Sequence, residues 1–223
     1  MDKNKIKHKY KQEKSKKPMY IFLIVIILII VLILLKINYK SKKDGNNISN
    51  KTSEEITEYI LNISSYTTTI DVTIESNKTT NKYVLKQEYS KENNISKQVV
   101  EQPSNIEGLT TTFDGRNLCL ENSKIGLNKV YENYKELTEN HLFLETFIED
   151  YNIADNKKIE EKENTIEITV KLKNESNKYS MYKKLYIDKK TGKPLKLEVQ
   201  DINQKIKIYI LYNEININSI NNN

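Results

Sequence analysis

Apolar and polar positions change period several times along the chain. Residues 19–35 read MYIFLIVIILIIVLILL, seventeen residues without a charge, with Pro18 before them and Lys36 and Ile37 after them. As a helix rising about 1.5 Å per residue, the stretch 19–37 is close to 30 Å long, the thickness of a bilayer's hydrocarbon core. The pattern predicts one transmembrane helix, marked by Met19, Tyr20 and Leu35. Residues 38–51 are polar and aperiodic, the composition of a linker. Thr52 and Glu55 then stand at capping-box spacing, and Ile56, Tyr59, Ile60 and Ile63 fall on one stripe of an amphipathic helix.

From Tyr66 the period drops to two. Tyr66, Thr68, Ile70, Val72 and Ile74 point one way, while Thr67, Thr69, Asp71, Thr73 and Glu75 point the other. The same alternation recurs at Tyr83, Leu85, Gln87 and Tyr89, at Ile166, Ile168, Val170 and Leu172, at Leu195, Leu197 and Val199, and at Ile206, Ile208, Ile210 and Tyr212. One-sided alternation of this kind is the mark of an antiparallel sheet with one buried face. Residues 76–78, Asp114-Gly115, 174–177 and the DKKTGKP stretch 188–194 read as turns, with Gly192 suited to positive φ. A second helix is expected after Asn140, where Phe143, Phe147, Ile148 and Tyr151 make another apolar stripe. The order of helix, strands, helix, strands predicts an α+β fold, a curved antiparallel sheet wrapping helices, preceded by a single transmembrane helix. The chain thus divides into a Lys-rich tail (1–18), the span (19–37), a linker (38–51), one domain (52–218) and a short disordered end (219–223).

The net charge of +6 would suggest a nucleic-acid partner if it were evenly spread. It is not. Residues 1–44 carry +9 and residues 45–223 carry −3. A slightly acidic domain repels a phosphate backbone, which excludes nucleic acid. Eight lysines precede the apolar span, with Lys14, Lys16 and Lys17 closest to it, and four follow it. Because positive residues stay cytoplasmic, the excess sets the N-terminus inside and the domain outside a single-pass cell membrane protein. No small-residue cleavage pattern and no cysteine follow the span, which favours an anchor over a cleaved or lipidated signal. The four trailing lysines fit against anionic headgroups.

Candidate chemistry is sparse. Cys119 is the sole cysteine, so an internal disulfide is excluded. The two histidines, His8 and His141, fall on opposite sides of the span, and His141 reads as a surface residue at a helix start. Metal sites and Ser-His-Asp or Cys-His arrangements therefore have no residues to build them. Five scattered glycines make no phosphate loop, so no cofactor is expected. Ser180 and Lys183 stand at S-x-x-K spacing, but in an apparent strand and without the partner motifs of penicillin-recognising enzymes. Glu160, Glu161 and Glu163 beside lysines read as a solvated loop. No catalytic residue is assigned.

The segments SEEITEYILNISSY from Ser53, EQPSNIEGLTTTFDGRNL from Glu101, HLFLETFIEDYN from His141 and LYIDKKTGKPLKLEVQDINQKIKIYILYNEI from Leu185 resemble the GerS-related family of clostridial germination lipoproteins. The resemblance covers residues 53–218. It implies a LolA/LppX-like open half-barrel sheet over helices, a role in sporulation or germination, no enzymatic activity, and an N-acetylmuramoyl-L-alanine amidase of the cortex as partner. The chain departs from that family in carrying an apolar helix where a lipoprotein carries its lipidated cysteine. The expected function is a membrane-anchored extracytoplasmic protein-binding module. A carrier of lipid or another apolar ligand is the alternative, an unrecognised enzyme ranks third, and a homo-oligomer is compatible with each.

Overall fold

The computed structural model of the chain describes residues 51–134, 141–172 and 178–219. The expected span with Met19, Tyr20 and Leu35, the topology-setting Lys14, Lys16 and Lys17, and the turn 174–177 lie outside the described residues. No helix among the described residues is long and apolar enough to cross a membrane.

Helix α1 (Ser53–Leu61) starts where the spacing of Thr52 and Glu55 places it. Glu55 N–H donates to Thr52 Oγ1 at 3.2 Å and Thr52 N–H donates to Glu55 Oε2 at 2.8 Å, satisfying two donors at the helix start. The chain then forms β1 (Ile63–Glu75), β2 (Thr80–Ser90), β3 (Ile95–Gln102), β4 (Thr110–Phe113), β5 (Leu118–Asn122) and β6 (Leu127–Tyr131). Helix α2 (Leu144–Ile153) follows, and then β7 (Asn156–Glu161), β8 (Thr165–Lys171), β9 (Tyr182–Asp188), β10 (Pro194–Gln200) and β11 (Ile206–Ser219).

The eleven strands of the described residues form one sheet in the order β6-β5-β4-β3-β2-β1-β11-β10-β9-β8-β7, antiparallel at every pairing. Two meanders are stitched at the centre by the first and last strands, and the sheet stays open with β6 and β7 as edges. The chain must travel from one edge to the other between β6 and β7, and α2 is the helical part of that crossing. Short polar loops make the hairpins. Asp114 Oδ1 accepts from the N–H groups of Arg116 and Asn117, and Asp188 Oδ1 accepts from the N–H and hydroxyl of Thr191. Gly192, at φ +65°, occupies the left-handed region that the DKKTGKP stretch anticipates.

Register places Tyr66, Ile70, Val72, Leu85, Ile166, Ile168, Leu185, Leu197 and Ile210 on one inner face, where all are buried. Ile56 and Ile60 of α1 and Phe143, Leu144 and Phe147 at α2 join the same core, each 0–1% exposed. A fully buried side chain of this size contributes roughly 1.5–3 kcal/mol, so the helices hold the sheet and the sheet holds the helices.

Three sequence expectations need correction. Leu195 does not share a face with Leu197. A bulge between Pro194 and Lys196 inserts an extra residue into β10, and Leu195 turns outward to 38% exposure. Glu160 and Glu161 belong to the edge strand β7, with Glu160 opposite Glu167 and Glu161 opposite Ile166. An edge strand tolerates charge on both faces, which masks the alternation. His141 is not a surface residue, because it lies half-buried ahead of α2 with its Nδ1 buried.

Candidate functional site

The inner face carries a polar row where α2 crosses it. Glu145, in the first turn of α2, is 6% exposed and accepts from the Tyr66 hydroxyl of β1 at 2.6 Å and from Ser96 Oγ of β3 at 2.8 Å. The Tyr66 oxygen accepts in turn from the N–H of Leu144 at 3.2 Å, one of the donors that a helix start leaves open. On β2, Gln87 Nε2 donates to Gln98 Oε1 at 2.9 Å and to the carbonyl of Leu142 at 3.1 Å. Desolvation pushes the Glu145 carboxyl up to about 7, against the pull of its two donors. The same burial, with Glu145 nearby, raises Tyr66 well above its ordinary range and Tyr89 to about 12.

One turn further along α2, Asp150 stands 2.5 Å from Lys183 of β9. The Lys183 side chain is wholly buried, and its Nζ also lies 3.5 Å from Thr146 Oγ1. The Asp150 Oδ2 and the Lys183 ammonium form a close, buried ion pair. Burial lowers the Lys183 pKa, opposed chiefly by Asp150. Burial first, and the Lys183 charge second, push His141 down to about 4. These groups clamp α2 across β1, β2, β3 and β9. Lys183 is thus held by Asp150 and Thr146 of α2.

The alternation pattern places Tyr66 and Gln87 facing inward, and the structure brings both to α2. Glu145, Asp150 and Lys183 escape sequence reading because each lies among ordinary surface-type charges. The period-two inward phase at Lys183, Leu185 and Ile187 is the signal that would have found the lysine.

Cys119 lies on the outer face, half-buried, opposite Thr112 and Val130. Desolvation and Glu121 raise its pKa, which disfavours the reactive thiolate. Among the described residues no three His, Cys, Asp or Glu side chains converge to hold a metal.

The outer surface offers two strand edges and two concavities. Edge β6 exposes Val130 and Tyr131, with Ile125 exposed in the 3-10 turn before it. Edge β7 exposes a row of Lys and Glu. A groove of about 350 Å³ lies on the outer face of β1, β2, β3 and β11, lined by Thr67, Thr69, Lys86, Lys97 and Asn216 among others. A notch of about 430 Å³ lies between the β9–β10 turn and residues 212–216 of β11.

The chain matches the YdcC-like sporulation proteins over residues 15–223, far more than half its length. It belongs to that family. No curated protein matches it. An uncharacterised conserved protein of Thermus thermophilus is similar at 10% identity and a TM-score of 0.49, over 76% of this chain and 90% of that one. The GerS lipoprotein–CwlD amidase complex of Clostridioides difficile is similar at 24% identity and a TM-score of 0.47, over 74% and 95%. The LolA superfamily protein NE2245 of Nitrosomonas europaea is similar at 13% identity and a TM-score of 0.39, over 76% and 95%. The family that the chain shows is thus the YdcC-like sporulation proteins.

Proposed function

We propose that this YdcC-like protein is a membrane-anchored, extracytoplasmic binding protein of sporulation that works by docking a protein partner on its outer surface. The observation that carries the reading is the packing of α2 on the sheet. Phe143, Leu144 and Phe147 are buried beneath α2, and a clamp of buried polar contacts holds that helix to the inner face. This disfavours the alternative of a lipid or apolar-ligand carrier, which needs an open apolar cavity. A tethered domain is also poorly suited to ferrying cargo.

The anchor is the apolar span 19–37, with Lys14, Lys16 and Lys17 retained inside. The partner class is an N-acetylmuramoyl-L-alanine amidase acting on cortex peptidoglycan. It follows from the sequence segments shared with GerS-related proteins, and GerS itself is in complex with the CwlD amidase. The protein is not an enzyme in this reading, and assists one. The full chain, tagged and purified in detergent from membranes of sporulating cells, is expected to retain the amidase. Recovery in the soluble fraction would refute the anchor. Absence of any amidase from the captured material, with no effect of added protein on amidase activity, would refute the partner.

A further inference from the structure

The middle of β1 carries short side chains on the outer face where its neighbours carry longer ones. Thr67 and Thr69 point outward there, about 7 Å apart along the strand. Register sets Asn216 and Glu214 of β11 beside them on one flank and Glu88 and Lys86 of β2 on the other. Two strand spacings, about 10 Å, separate the flanks. The low centre and tall sides make the groove of about 350 Å³, whose far wall is Lys97 and Val99 of β3. We propose that this groove binds a neutral mono- or disaccharide unit, held along the threonine floor by hydrogen bonds.

Three features of the lining select that class. First, no hydrogen bond among the described residues takes up the side chains of Thr67, Thr69 or Asn216. Each of these groups both donates and accepts, as a sugar hydroxyl does. Second, threonine sets a methyl group beside each hydroxyl and Val99 adds an apolar edge, so the C–H face of a sugar ring also finds contact. Third, the four charges of the lining balance. Lys86 pairs with Glu101 at 2.6 Å, and Glu88 stands opposite Lys97 in the β2–β3 ladder. That leaves Glu214, exposed on the β11 flank, as a carboxylate acceptor for neighbouring hydroxyls.

The same residues turn away other ligand classes. A phosphate or an acidic peptide needs a surplus of cations, and the lining sets Lys86 and Lys97 against Glu88 and Glu214. A divalent cation needs carboxylates that converge, whereas Glu88 and Glu214 flank β1 from opposite sides. An acyl chain or an apolar anchor needs a hydrophobic lining, and Val99 is the only aliphatic side chain lining the groove among the described residues. The volume, at the small end for a ligand site, suits a short saccharide. This site goes beyond the protein-docking reading and does not depend on it.

The test is an NMR titration of the full chain, in micelles of a detergent without a sugar headgroup, with N,N′-diacetylchitobiose and with cellobiose as probes. At least one of them is expected to shift the amide and methyl signals of Thr67 and Thr69 and the amide of Asn216, saturably in the millimolar range. Thr67→Val and Thr69→Val keep the branched shape and remove the hydroxyls, and together they are expected to weaken binding by about fivefold or more. Thr73→Val, on the same face of β1 but outside the groove, is expected to leave binding unchanged. The absence of saturable shifts with either sugar up to its solubility limit overturns the proposal, as do shifts that map elsewhere or an equal loss in Thr73→Val. Tighter binding of inorganic phosphate at the same residues overturns the saccharide class. A saturable sugar site in a chain that captures no amidase supports the groove and refutes only the choice of protein partner.

Discussion

The Tyr66 hydroxyl of β1 donates to Glu145 Oε2 at the start of α2 across 2.6 Å, and the backbone N–H of Leu144 donates to that same hydroxyl. One sheet residue thus fixes both a helix terminus and a buried carboxyl. The helix is clamped by groups that titrate.

Glu145 and His141 are expected to give opposing pH dependences. Glu145 rises from 4.5 to about 7 in the folded state, mainly by desolvation, so between these values the folded chain holds a proton that the unfolded chain releases. Its contribution to stability therefore falls as pH rises through that window, by up to ~3 kcal/mol. His141 is lowered from 6.5 to about 4, by burial and by Lys183, so the unfolded chain holds the extra proton and stability rises with pH over that range. The two slopes oppose one another between about pH 4.5 and 6.5. Urea denaturation across pH should show stability rising with pH in Glu145→Gln and falling with pH in His141→Gln. Identical slopes in wild type and both variants would rule this out.

Asp150→Ala is expected to cost more than Lys183→Met. Removing the carboxylate strands a fully buried ammonium, a change of about 3–5 kcal/mol. Removing the lysine leaves Asp150, whose side chain is 17% exposed and accessible to water. Equal losses in midpoint denaturant concentration would contradict the assigned burial.

Leu195→Ala and Leu197→Ala separate the two residues that period two groups together. Leu197 is 0% exposed and its truncation should cost about 2–5 kcal/mol, whereas Leu195→Ala should lie within about 0.5 kcal/mol of wild type. Comparable losses at both positions would remove the bulge.

Gly115→Ala should destabilise by about 1–2 kcal/mol, since φ is +85° and the added Cβ would fall 1.5 Å from Asn94 Nδ2. Combining it with Asn94→Gly, which suits the φ of +51° at that position, relieves the contact and leaves the strain at residue 115. Thermal denaturation of the pair should therefore recover only part of the loss.

The secondary structure was legible wherever local chemistry decides it. Thr52 and Glu55 cap α1 as their spacing requires, because a capping box closes within four residues. Tyr66 to Ile74 and Ile166 to Val170 alternate because each strand has one dry face. Strands β3 to β7 were less visible, being short or lying at the sheet's margins, where polar residues are tolerated on both faces.

Sequence alone determined that this domain is a one-sided antiparallel sheet with two amphipathic helices, since hydrophobic periodicity is a local property of the chain. Only the tertiary structure decided that β1 and β11 meet at the centre, that Lys183 and Glu145 are interior, and that β10 pairs with β11 only as far as Leu211. These depend on contacts between residues up to about 150 positions apart, such as Thr68 with Glu214, and on a single-residue bulge that reverses which way Leu195 points.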